Sequence, residues 1–117
     1  MRIAVTGRNT TVTPDLRDHV EKRFHTLARQ VSELAELEVE LIEERNPAIA
    51  DRQIAEATLW LKGATLRGRG ASPDMAHSIN VCEEQLAKQV TRYRDRRRKR
   101  RETRAAQGTT GEAAAAP

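Results

Sequence analysis

Aromatic residues, cysteines and long apolar runs are all scarce in this chain of 117 residues. Phe24, Trp60 and Tyr93 are the only aromatics, so a hydrophobic core must rest on aliphatic side chains. Cys82 is the only cysteine, which excludes an internal disulfide and favours a reducing compartment. No apolar run reaches the ~18 residues of a membrane span, and the first residues lack the apolar region of a secretory signal. These absences predict a cytoplasmic protein of one domain.

Catalytic and metal-binding motifs are absent as well. The sequence has no CxxC, HExxH or GxSxG motif and no glycine-rich phosphate loop. The three histidines, His19, His25 and His77, form no ligand-spaced cluster with Cys82. Solvated helix positions for His19 and His25, and a core position for Cys82, are the simpler interpretations. We therefore expect no enzymatic activity, no cofactor, no metal site and no small-molecule substrate.

Positive charge is concentrated in one stretch, Lys88–Arg104, which we call the basic segment. It holds ten basic and two acidic residues, a formal charge of +8. Residues 1–87 carry −3 and residues 105–117 carry −1, so the net charge of +4 conceals a strong asymmetry. A basic block on a slightly acidic body is typical of proteins that bind polyanions.

The apolar pattern predicts the element order β-α-β-β-β-α. Thr13-Pro14-Asp15 has the composition of a helix start, and the apolar stripe that follows it reaches Val31. Ser72-Pro73-Asp74 repeats that start before a second, longer helix. Alternating apolar and polar residues indicate four strands, at 2–8, 36–41, 53–62 and 65–71.

These elements predict an α+β fold, similar to a double-stranded-RNA-binding domain. Both helices are expected to pack on one face of a four-stranded sheet, which leaves the other face open. The first strand, helix and second strand predict a right-handed crossover, and the last three strands an antiparallel meander. The open face would carry Trp60 and the acidic residues that alternate along the second strand.

The apolar stripe of the second helix stops at Tyr93. Beyond it, Arg97, Arg100 and Arg104 take the equivalent positions, so the helix is predicted to leave the core and stand in solvent or on a partner. We assign the domain to residues 1–104. The Ala, Gly and Thr composition of residues 105–117 predicts a disordered tail.

Basic side chains of the second helix are the main candidates for RNA binding, because guanidinium groups pair bidentately with phosphates. The candidates on this helix are Lys88, Arg92, Arg94, Arg96, Arg97, Arg98, Lys99, Arg100 and Arg101. Arg67 and Arg69 on the fourth strand join them, near Trp60 on the neighbouring strand. A solubilising tail and a nuclear localisation run are the alternatives. The scarcity of aromatics argues against reading single strands by stacking, so folded RNA is the predicted partner.

Four stretches together carry a family likeness: TGRN at 6–9, VTPDLRDHV at 12–20, DMAHSIN at 74–80 and LAKQV at 86–90. In this order they resemble the ribosome hibernation promoting factor and ribosome-associated inhibitor family. The resemblance covers residues 1 to about 100 and implies the same β-α-β-β-β-α plan.

The resemblance implies binding to the small ribosomal subunit, in the mRNA and tRNA channel near the decoding region of 16S rRNA. Such a protein would block translation and protect idle ribosomes in stressed or resting cells. By position, Lys88, Arg92 and the run 94–101 would hold rRNA phosphates, with Lys22, Arg23 and Arg29 as weaker candidates. The family also has long members, whose C-terminal domain pairs a second ribosome. A short form and a truncated long form both remain open for this chain.

Two other functions fit the residues. A general RNA-binding or chaperone-like module would use the basic segment without a fixed ribosomal site. Its affinity would fall steeply with salt, and it would bind any duplex. A regulator that binds a protein through the acidic strand face and Trp60 is the third hypothesis.

Overall fold

The computed structural model describes the backbone of residues 1–115 and the side chains of residues 1–104. The predicted order of elements is confirmed. The elements are β1 (Arg2–Arg8), α1 (Pro14–Ala28), β2 (Glu36–Glu43), β3 (Gln53–Leu61), β4 (Ala64–Ser72) and α2 (Met75–Ala115). The sequence pattern of α1 runs on to Val31, but the helix ends at Ala28 and Arg29 caps it.

The four strands form one sheet in the order β1-β2-β3-β4. β1 pairs parallel to β2 across the α1 crossover, and the other two pairings are antiparallel. One row of paired residues runs Val5, Val39, Ala57 and Gly68 from edge to edge. Side-chain size therefore falls towards β4, which lets α2 lie close to the sheet there.

Both helices pack on the same sheet face, as predicted. α1 buries Val20, Phe24 and Leu27, and α2 buries a stripe that includes Ile79 and Leu86. Each of these five side chains is at most 1% exposed. The apolar residues of the strands pack against these side chains, so one continuous core lies between the sheet and the two helices.

Each helix is capped at its N-terminus by a polar residue that directly precedes it in the sequence. The Thr13 hydroxyl accepts a hydrogen bond from the Leu16 backbone N–H at 3.2 Å, and Pro14 occupies the first turn. At α2 the Asp74 carboxylate accepts from the His77 backbone N–H at 3.0 Å. These bonds satisfy N–H groups that a helix leaves unpaired at its first turn.

β4 is an edge strand, and α2 covers part of its free edge. The Gln89 side-chain oxygen accepts from the Arg67 N–H at 3.2 Å, while the Gln89 amide donates to the Arg67 carbonyl. The Gln85 side-chain oxygen accepts from the Arg69 N–H at 3.1 Å. Two glutamines four residues apart therefore take the place of a fifth strand, which protects this edge from pairing with another chain.

The backbone of α2 is helical as far as Ala115. The sequence composition predicts disorder from residue 105 onwards. That tail stays a prediction, since its side chains and residues 116–117 lie outside the described residues. Over the part of the chain that the structure describes, no helix carries an apolar stretch long enough to cross a bilayer.

Candidate nucleic-acid interface

Tyr93 is the last residue through which α2 contacts the domain body. Its ring packs against the core, and its hydroxyl donates to the Lys62 backbone carbonyl at 2.9 Å. An Arg97 guanidinium N–H donates to the Tyr93 hydroxyl at 2.7 Å, with the guanidinium 5.6 Å from the ring centre. Residues 94–104 are all exposed. In the structure α2 thus leaves the core at Tyr93, the residue at which the apolar stripe of its sequence stops.

The part of α2 from Tyr93 to Arg104 projects about 18 Å at 1.5 Å per residue. Only one ion pair forms within the basic segment among the described residues, between Arg98 and Asp95 at 3.5 Å. Lys88, Arg92, Lys99 and the other arginines make no ion pair within those residues. The segment thus presents its positive charge to solvent.

One side of the projecting helix forms the wall of a cleft of about 850 Å³, which we call the tryptophan cleft. Arg94, Arg98 and Arg101, at helical spacings of four and three, lie on this wall. The opposite wall is the segment 30–36 before and at the start of β2, and Trp60 lies at the end of β3. The cleft holds five basic side chains against two carboxylates, so an anion is its natural occupant.

The other side of the projecting helix borders a smaller cavity of about 370 Å³, which we call the hairpin groove. Arg96, Arg100 and Arg104, spaced four residues apart, face the turn between β3 and β4. Lys62 in that turn lines both cavities, as do Arg97 and Arg101. Two rows of arginines therefore flank the helix, each above a concave surface.

Two of the weaker candidates, Lys22 and Arg23 on α1, line neither cavity and are paired with carboxylates. Lys22 binds Asp18 at 2.9 Å, and the hydrogen bond with Asp18 raises the pKa of Lys22. Arg23 lies between α1 and α2, with its Nε 3.0 Å from Glu83 and an Nη 3.2 Å from Glu84. The Nε approach to Glu83 lacks the alignment of a hydrogen bond. Arg29 is exposed and directly precedes Gln30, which lines the tryptophan cleft.

Burial of Glu83 raises the pKa of its carboxyl, and the neighbouring Arg23 guanidinium opposes that effect. The pair thus joins the two helices through opposite charges at a half-buried position. An arginine held in this way is less available to an RNA phosphate than one in the basic segment. Among the sequence-predicted residues, Arg23 therefore has a contact within the fold that the sequence pattern did not reveal.

The open sheet face carries charges of both signs. Arg2, Arg8 and Arg69 pair across strands with Glu36, Glu40 and Glu56 at 3.4–3.8 Å. Arg67 is opposite Thr58, diagonal to Trp60, and makes no ion pair among the described residues. The open face is therefore not a continuous basic surface, and of the two strand arginines only Arg67 lies beside Trp60.

Within the residues that the structure describes, no three His, Cys, Asp or Glu side chains converge to hold a metal ion. Cys82 is buried on the core-facing side of α2, and that burial raises the pKa of its thiol to about 12. The thiol is therefore protonated at neutral pH and out of contact with solvent. The absence of catalysis stays a prediction.

A family model described as sigma 54 modulation protein / S30EA ribosomal protein matches residues 3–98. The chain belongs to this family. It is 28% identical over 96 residues to a ribosome hibernation promoting factor of Klebsiella oxytoca, covering 82% of this chain and 96% of that protein. It is 26% identical over 97 residues to a ribosome hibernation promotion factor of Picosynechococcus sp., but there the match spans only 50% of the relative's length.

Solved structures show the same fold. The N-terminal domain of Thermus thermophilus Protein Y has a TM-score of 0.68 at 27% identity, with 80% of this chain and 99% of that chain covered. A ribosomal subunit interface protein from Coxiella burnetii has a TM-score of 0.69 at 22% identity, covering 81% and 99%. At that identity the second likeness supports the fold alone.

Several residues of the site escaped the sequence analysis. Leu34 lies in a loop with no periodic signal, Lys62 stood at the end of a predicted strand, and the pattern of α2 gave Tyr93 only a core role. Their position at the cavities depends on where α2 crosses the end of the β3–β4 hairpin. The arginine rows could be found from helical spacing, but the surfaces that they face could not.

Proposed function

We propose that this chain binds the small ribosomal subunit in the channel used by mRNA and tRNA, near the decoding region of 16S rRNA. There it inhibits translation and protects idle ribosomes in stressed or stationary-phase cells, acting in the cytoplasm. The proposal combines the shape and charge of the basic segment with the names that the relatives carry.

The observation that carries the proposal is the projection of α2 beyond Tyr93. A helix that leaves its core normally exposes apolar positions, but here Arg97, Arg100 and Arg104 occupy them. The result is a positive rod with guanidinium groups on every side. Such a rod suits a channel walled by phosphates better than it suits a single flat surface.

The charge distribution also sets the orientation of binding. The body carries −3 and the basic segment +8, so a phosphate-rich partner repels one end and attracts the other. The basic segment enters first, with Lys88 and Arg92 following at the side of α2 that faces away from the sheet. The domain body then fills the space that mRNA and tRNA would occupy, which explains inhibition without catalysis.

Co-sedimentation of the purified chain with separated small and large subunits on a sucrose gradient, at about physiological salt, tests the proposal. We expect recovery of one copy per small subunit and none with the large subunit. Addition of mRNA and tRNA in excess should displace the chain if it lies in their channel. Equal recovery with both subunits and with free duplex RNA would contradict a fixed site and leave a general RNA-binding module.

A further inference from the structure

Trp60 and Leu34 stand out as large apolar side chains that the core does not use. Trp60 is 43% exposed and Leu34 is 90% exposed, and neither belongs to the hydrophobic core. Both line the tryptophan cleft, on the side opposite the arginines of α2. An apolar surface and a row of cations thus face one concave space.

The charges of this cleft are arranged so that some arginines are already held and others are free. Arg97 is held by Tyr93 through a hydrogen bond and a cation–π contact. Arg98 forms an ion pair with Asp95 at 3.5 Å on an exposed helix surface, where such a pair stabilises the fold very little. Arg94 and Arg101 form no ion pair among the described residues, so they are the groups ready to take a phosphate.

The volume suits a small ligand with a flat part. Binding sites for small molecules are typically ~300–1,000 Å³ and combine apolar walls with a few polar groups. The tryptophan cleft, at about 850 Å³, lies within that range. A nucleotide fits both the aromatic ring and the arginines of the cleft, since its base stacks on an aromatic ring and its phosphate pairs with guanidinium groups.

We propose that the tryptophan cleft binds one nucleotide, with the base on Trp60 and the phosphate on Arg94 and Arg101. A single aromatic supports one base rather than a run of stacked bases, so this site adds one contact to a surface that otherwise recognises folded RNA. The nucleotide comes either from an unpaired position in bound RNA or from a free mononucleotide. Its RNA source rests on the proposed function, whereas the chemistry of the cleft does not.

Trp60 is the only tryptophan of the chain, so its fluorescence reports on this cleft alone. We expect saturable quenching by AMP and by a single-stranded tetranucleotide, and no saturable change with adenosine, which lacks the phosphate. Quenching at a much lower concentration of tetranucleotide than of AMP identifies RNA as the source. Tighter binding of AMP identifies the free nucleotide. Absence of saturable quenching by both would overturn the proposal, as would quenching by an acidic peptide alone.

Replacing Arg94 and Arg101 together by Gln should weaken AMP binding by about tenfold or more, because charge-assisted hydrogen bonds are lost. A matched control changes Arg17 and Arg45, two exposed arginines outside the cleft, to Gln. This control should leave quenching as in the parent chain. Equal weakening in both double variants would mean that net charge, and not the cleft, attracts the nucleotide, and the proposal would fail.

Equilibrium dialysis of the Trp60 variants with AMP, beside co-sedimentation of the parent chain with small subunits, separates this inference from the proposed function. Equilibrium dialysis should show loss of AMP binding by Trp60→Ala and its retention by Trp60→Phe, which keeps an aromatic ring. Retention of AMP by Trp60→Ala would overturn the nucleotide site, while binding of the parent chain to the subunit would still support the ribosomal function. If the parent chain fails to bind the subunit but binds AMP, the ribosomal function falls and the nucleotide site stands.

Discussion

The hydroxyl of Tyr93 donates to the backbone carbonyl of Lys62, and this bond joins the last buried turn of α2 to the β3–β4 turn. The bond lies where the tryptophan cleft meets the hairpin groove, since both residues line both cavities. The direction in which the basic segment leaves the body is therefore set at this point. The positions of the two arginine rows depend on it.

Replacing Tyr93 by Phe keeps the ring on the core and removes the bond to Lys62. It also removes the acceptor of the Arg97 hydrogen bond. We expect a loss of about 1–2 kcal/mol in the free energy of unfolding, since each of the two bonds has a usual net value of roughly 0.5–1.5 kcal/mol. RNA affinity should fall as well, because the projecting helix is less constrained. Urea unfolding and RNA titration measure the two effects. An unchanged RNA affinity would show that the Tyr93–Lys62 hydrogen bond does not orient the basic segment.

Much of the fold could be predicted from the sequence because a single sheet face is buried. The period of two along β3 and β4 separates Ala57 and Gly68 from Trp60 and Arg67, and the structure places them on the expected faces. The N-termini of the two helices could likewise be predicted from Thr13 and Asp74. Local chemistry determines these features, so the sequence alone contains them.

Contacts between elements distant in sequence were not predictable in the same way. Arg23 has the pattern of a solvated helix residue, but the packing of α1 on α2 places it against Glu83 and Glu84. The meeting of Lys62 with Tyr93 depends on the crossing of α2 over the hairpin. Such relations arise from packing geometry, which periodicity does not specify.

Gly70→Ala should destabilise the fold strongly. A methyl group at this position would overlap the backbone carbonyl oxygen of Ser78 and lie 2.9 Å from the backbone nitrogen of Cys82. Since α2 cannot move away without opening the core, we expect a loss of about 1–3 kcal/mol or more in the free energy of unfolding. Urea unfolding measures it, with Thr65→Ala on the exposed face of the same strand as the control. A loss no larger than that of the control would contradict the close packing.

Gln89→Ala should expose the edge of β4. The Arg67 N–H and carbonyl lose their side-chain partner, at a cost of roughly 1 kcal/mol in the free energy of unfolding. A free strand edge also invites pairing with another chain, so we expect concentration-dependent association. Analytical ultracentrifugation and urea unfolding test this, with Lys88→Ala as the neighbouring control. A monomer of unchanged stability would mean that the glutamine does not protect the edge.

The Cys82 thiol should be inert in the folded chain. Burial raises the pKa of this thiol from 9.0 to about 12, so folding favours its protonated form. That stabilisation is complete below pH 9 and is lost as the pH rises from 9 towards 12. Reaction with a thiol reagent at pH 8 should therefore follow the rate of unfolding and become fast only in urea. Rapid labelling of the folded chain would contradict the burial of Cys82 between α2 and the sheet.

The proposed function requires arginines of the basic segment to hold ribosomal RNA. The most direct test is co-sedimentation with small subunits after Arg92, Arg96 and Arg100 are together replaced by Glu, beside a control with the same charge change at Arg2, Arg17 and Arg45. Circular dichroism checks that both variants are folded. We expect that the first variant no longer binds small subunits and that the control still does. Binding of the first variant at the level of the parent chain would contradict it.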